Sequence, residues 1–141
     1  MVMRFTKNLG IGALLCLLPT LAFAKGWQEG VWKGSIHKGT NEVSVHAQFR
    51  PDGAELIFEG AFTCRVKARY DNVYGSAVVY TFSEAEVDAR AKGKVCYELL
   101  KESLELTHAS GDDTMTLDFT VPARAWKGRW TGQLARDPDY R

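Results

Sequence analysis

Three histidines, a pair of cysteines and a run of alternating cations are the residues of this chain best suited to chemistry. His37, His46 and His108 would serve a zinc ion only if three or four donors converged on one point. No H-x-H or Glu-x-x-His spacing brings any two of them together. Neither a G-x-S-x-G sequence nor a glycine-rich phosphate loop frames a nucleophile. No residue pair is placed to activate one, so the sequence points away from an enzyme and implies no metal or cofactor. Cys64 and Cys96 form no C-x-x-C motif. A structural disulfide is their simplest use, closing a loop of about 32 residues and contributing about 3–4 kcal/mol.

Two cationic stripes are candidates for recognition. Arg65, Lys67 and Arg69 occupy the polar positions of the alternating stretch Phe62–Tyr70, and Arg124, Lys127, Arg129 and Arg136 form a second series. They read either as solvated faces or as docking surfaces for an acidic partner protein or a polyanionic glycan. Glu84, Glu86 and Asp88 offer the opposite charge to a basic partner. Tyr74 and Tyr80 lie in the segment 73–82, which is apolar on both of its faces. Such a strand is covered on both sides, or it displays an aromatic patch to a partner. Trp32, Trp126 and Trp130 would converge if the first and last strands met, either as filler or as the lining of a small apolar pocket.

The elements that position these residues are short strands. Even positions of Phe62–Tyr70 are apolar and odd positions polar, the period of a strand with one face in a core. The same alternation predicts strands over about 30–37, 43–50, 56–59, 104–108, 115–121 and 126–134. Lys38-Gly39-Thr40-Asn41, Pro51-Asp52-Gly53, Asp71-Asn72 and Ser110-Gly111-Asp112-Asp113 supply turns. Residues 95–100 are ambiguous, with length and Cys96 favouring a strand. Ser83 and Glu86 fit a capping box and Gly93 a stop, predicting one short helix near 84–92. The fold class is all-β: an eight- or nine-stranded antiparallel up-and-down barrel, with a sandwich as runner-up.

Matching Trp-Lys-Gly sequences at 32–34 and 126–128 favour the barrel, because closure would make the two strands neighbours. Glycines within those strands suit the close backbone approach that closure needs. With Gly30-Val31-Trp32 near the start of the domain, the chain resembles the small up-and-down barrels of the avidin and calycin type, whose first strand carries a G-x-W pattern. That resemblance implies an architecture; no ligand-site residue is carried over from it.

Arg4 and Lys7, the apolar run Leu9–Leu18, Pro19 and Ala22-Phe23-Ala24 have the order of a secretory signal peptide over residues 1–24. The apolar run is about half the length a membrane-spanning helix needs. Leu15 stands where a lipoprotein signal would place a small residue before Cys16. Cleavage leaves 117 of the 141 residues, expected to form one domain over 25–136 and a tail over 137–141. It removes two of 18 cations and no acid, leaving 16 against 17 and a net charge of −1. A near-neutral chain has no general affinity for nucleic acid or an anionic membrane. These features together predict a periplasmic or secreted, non-enzymatic binding protein, with inhibition of a secreted enzyme or immunity to a toxin as its most concrete role. The alternative is a carrier holding a small apolar ligand inside the barrel.

Overall fold

Alternation of apolar and polar residues along the chain becomes alternation of core and solvent faces in eight strands. The computed structural model describes residues 26–86, 95–108, 113–122 and 126–138. Within them run β1 (Gly30–Lys38), β2 (Asn41–Phe49), β3 (Gly53–Gly60), β4 (Cys64–Tyr74) and β5 (Ala77–Glu86). A single helical turn, α1 (Val95–Glu98), precedes β6 (Ser103–His108), β7 (Thr114–Val121) and β8 (Gly128–Arg136). Each strand pairs with the next, and β8 returns antiparallel to β1, so the sheet closes into an up-and-down barrel in chain order. The architecture is therefore the barrel rather than the sandwich, with eight strands. The expected signal peptide over 1–24, Asp88, Arg124 and the tail beyond residue 138 lie outside the described residues.

The inward positions of every strand feed one core. Cys64, Val66 and Ala68 of β4 are buried while Arg65, Lys67 and Arg69 face water, as the alternation predicts. Trp32, Ile36, Leu56, Phe58, Tyr80, Phe82, Leu104, Leu106, Met115, Leu117 and Trp130 are fully or almost fully removed from solvent. Aromatic rings knit opposite walls together: Phe119 of β7 stands 5.5 Å from Phe58 of β3 and 5.4 Å from Phe82 of β5.

The seam between β1 and β8 is tight. Trp32 pairs with Arg136, Gly34 with Leu134 and His37 with Thr131. A Cβ on Gly34 would collide with the Gln133 carbonyl oxygen, and one on Gly132 with the Ser35 carbonyl oxygen. Backbone, not side chain, fills this part of the wall, and only glycine permits that approach.

Three segments depart from expectation. The chain does not turn at Asp71-Asn72: β4 continues through them to Tyr74, and the turn is Gly75-Ser76. A bulge between Tyr70 and Asn72 absorbs one residue and slips the in–out alternation, which makes the strand look as though it ends there. The helix expected over 84–92 is absent from 84–86, which belong to β5, and the rest of that span lies outside the described residues. The helical turn comes later, at Val95–Glu98, where a strand was expected. Val95, Cys96 and Leu99 are buried at the i, i+1, i+4 spacing of one helical face. Lys101, at φ 77°, then bends the chain back to β5, with its N–H donating to the Phe82 carbonyl oxygen at 2.9 Å.

Cys96 on this turn is disulfide-bonded to Cys64 at the start of β4, with Cα atoms 6.3 Å apart. Replacing both cysteines by serine should lower unfolding free energy by about 3–4 kcal/mol in denaturant titrations. Gly132→Ala should cost about 1–3 kcal/mol through overpacking at the seam, read the same way.

Candidate functional site

Whether the barrel holds a ligand depends on its tryptophans. Trp32 and Trp130 are wholly buried, and each occupies the third position of a Gly-x-Trp sequence. Gly30 and Gly128 both have positive φ, 121° and 129°. Each indole N–H donates to the carbonyl oxygen four residues earlier, Trp32 to Gln28 at 2.8 Å and Trp130 to Trp126 at 2.9 Å. The two units are equivalent, but β1 and β8 run antiparallel, so they sit at opposite ends of the barrel. Trp130 and Trp126 meet with ring centroids 6.3 Å apart, and Phe62 closes on Trp130 at 5.2 Å. Trp32 instead pairs with Arg136 at the other end. The expected convergence of Trp32, Trp126 and Trp130 is thus corrected: two ends, each plugged by its own tryptophan. Among the described residues, the prominent surface clefts are lined by residues other than these three.

Arg136, assigned from sequence to a cationic stripe, holds the Trp32 end shut. Its guanidinium lies 4.3 Å from the Trp32 ring and donates to the carbonyl oxygens of Glu29 at 2.8 Å and Trp27 at 3.0 Å. This joins the last strand to the segment before the first by a cation–π contact and two charge-assisted hydrogen bonds.

The stripes are compensated in part, Arg69 standing opposite Thr81 and Gly53. Arg65 pairs across β4–β5 with Glu86, and Lys67 with Glu84, whose carboxylate is 3.8 Å from Nζ. On the β3 side Lys67 faces Glu55. The cations and the acidic group at 84 and 86 are therefore one surface of cross-strand charge pairs, a solvated pattern rather than a field of one sign. Arg129 chelates Asp118 through Nε and Nη2 on the neighbouring strand, and Asp118 keeps its guanidinium protonated. Lys127 is exposed. His46 lies opposite Lys33 and His37 opposite Glu42. Among the described residues no three His, Cys, Asp or Glu side chains gather as a metal site.

The rim around Trp32 differs. Here the β4–β5 hairpin projects past the barrel wall, leaving Tyr70 (40%), Val73 (55%) and Tyr74 (68%) exposed. Behind it is a cleft of about 570 Å³ lined by Trp27, Glu29, Pro51, Tyr70, Val73 and His108, among others. Trp27 stacks on His108 with centroids 4.6 Å apart. Tyr80, expected as a surface candidate, is fully buried beneath Tyr70, their rings edge to face at 5.7 Å. Gln28 Nε2 donates to the Tyr80 hydroxyl at 3.3 Å, and that hydroxyl donates to the Arg50 carbonyl oxygen at 3.2 Å. Of the residues singled out from the sequence, Trp32, Arg136 and His108 lie at this end, with Tyr74 exposed on the hairpin above it. Trp27 carries no periodic signal, whereas His108 and Tyr70 lie at the ends of alternating stretches that mark them as inward-facing and do not reveal that they reach the rim.

The chain matches no protein-family model, and no curated protein matches it.

Burial raises the Tyr80 phenol above its ordinary 10.0; the Gln28 hydrogen bond opposes this and the nearby Glu29, Tyr70 and Asp52 add to it. The unfolded chain thus ionises first, so this contribution to stability is intact below pH 10.0 and is lost as pH rises toward the folded value. Unfolding free energy should fall by up to about 1.4 kcal/mol per pH unit in that window. Tyr80→Phe should flatten the fall in denaturant titrations run at stepped alkaline pH.

Proposed function

We propose that this chain is an exported, non-enzymatic binding protein that engages another secreted or periplasmic protein, an enzyme to be inhibited or a toxin to be neutralised, through the rim around Trp32. The observation that carries the reading is the exposed Tyr70, Val73 and Tyr74 on one projecting hairpin. Large apolar side chains exposed together at one hairpin tip have the composition of a protein-binding hot spot. The disulfide suits an oxidising compartment. Among the described residues no helix is long and apolar enough to cross a membrane. A carrier using the interior draws no support from a core filled by Trp32, Phe58, Phe82, Phe119 and Trp130.

The test is capture of a partner from the exported fraction of the native host, followed by measured affinities of variants for that partner. Val73→Asp with Tyr74→Asp should weaken binding by about 30-fold or more, the loss of at least one hot-spot contact. Arg65, Lys67 and Arg69 changed together to glutamate should leave affinity within about threefold, as expected for solvated rim charges. The reverse pattern would move the site to the β4 stripe.

A further inference from the structure

We infer that the cleft behind the hairpin is a receptor for a single cationic side chain, a lysine or arginine presented by the partner. This deepens the proposed function and rests on it. The chemistry starts at Glu29, a charged residue nine-tenths removed from solvent among the described residues. Its Oε2 accepts the Gly26 backbone N–H at 2.7 Å. Its Oε1 has no hydrogen-bond or ion-pair partner among the described residues, and Glu29 lines the cleft. Among the described residues only Asn72 Oδ1 is both buried and unpartnered, so Glu29 Oε1 is open to the cleft, and half of this carboxylate's accepting capacity faces whatever enters.

The surrounding walls suit an organic cation. Trp27, one face of which stacks on His108, and Tyr70 are aromatic, Pro51, Val73 and Val78 aliphatic, and among the described residues no lysine or arginine lines the cleft. Aromatic faces attract ammonium and guanidinium groups, and aliphatic walls suit the methylene stem that carries them. The field has the right sign as well. The carboxylates of Glu29 and Asp52 both raise the negative potential at Tyr80, at the base of the rim. Opposing them, Arg136 runs beneath the first turn. Its charge is already engaged by the Glu29 and Trp27 carbonyl oxygens and by Asp113, 3.9 Å away. Arg50 is turned to Gln48, its Nη2 donating to Oε1 at 3.0 Å.

Amide chemical shifts and Trp27 fluorescence of the full folded protein, titrated with N-acetyl-lysine methylamide and N-acetyl-arginine methylamide, test this directly. The neutral isostere N-acetyl-norleucine methylamide is the control. One or both cations should bind with a dissociation constant of about 1–10 mM, at least tenfold tighter than norleucine, with shifts confined to Trp27, Glu29, Tyr70 and their neighbours. Glu29→Gln keeps an acceptor for the Gly26 N–H and should abolish the preference for cations while leaving the denaturation midpoint close to wild type. Equal binding of norleucine, or no binding of any compound, overturns the inference. Neither of those results touches the proposed function, which stands or falls on whether Val73→Asp with Tyr74→Asp releases the partner.

Discussion

Closure of the barrel between its first and last strands is the constraint on which everything else rests. That seam exists because two glycines let backbone press against backbone, and because Arg136 reaches back across Trp32 to the carbonyl oxygens of Trp27 and Glu29. With the seam made, no strand edge is left unpaired in the wall, and each inward side chain faces its counterparts across a sealed interior. Without it the same eight segments would form an open sheet with a half-exposed apolar face. The repeated Gly-x-Trp unit serves this closure twice, once at each end.

A filled interior decides where activity can reside. Aromatic contacts from Phe58 through Phe119 to Phe82 fill the inner volume with side chains, and for that reason the proposed binding is placed on the outside. The two ends are unequal there. At the Trp130 end the disulfide ties α1 down onto β4, covering the barrel mouth with backbone. At the Trp32 end a bulged hairpin overhangs a cleft whose floor contains a buried carboxylate.

The strands could be read from the sequence because each has one wet and one dry face, and period-two patterning follows directly from that. What could not be read depends on register. Arg65 and Lys67 form a cationic stripe along one strand, but Glu86 and Glu84 stand opposite them on the next strand, and Glu84 forms an ion pair with Lys67. That pairing is invisible until two strands are aligned. The three tryptophans appear together when the terminal strands are imagined side by side, and separate once those strands are given opposite directions. A single-residue bulge after Tyr70 turned an inward position outward and concealed the aromatic rim. Val95–Glu98 is too short for any period to be decisive, and burial of Cys96 settles it as a helical turn. Arg136 looked like a surface cation because nothing local distinguishes a guanidinium in water from one lying on an indole.

Strand order equal to chain order also shapes how the molecule is reached from a disordered chain. Seven of the eight ladders join strands consecutive in sequence, whereas the remaining one brings together residues about a hundred positions apart, such as Trp32 and Arg136. Loop-closure entropy makes the distant pairing the slowest to assemble. Until it forms, β1 and β8 are free margins able to recruit another chain, so the kinetic hazard of this architecture is concentrated in its final zipping step.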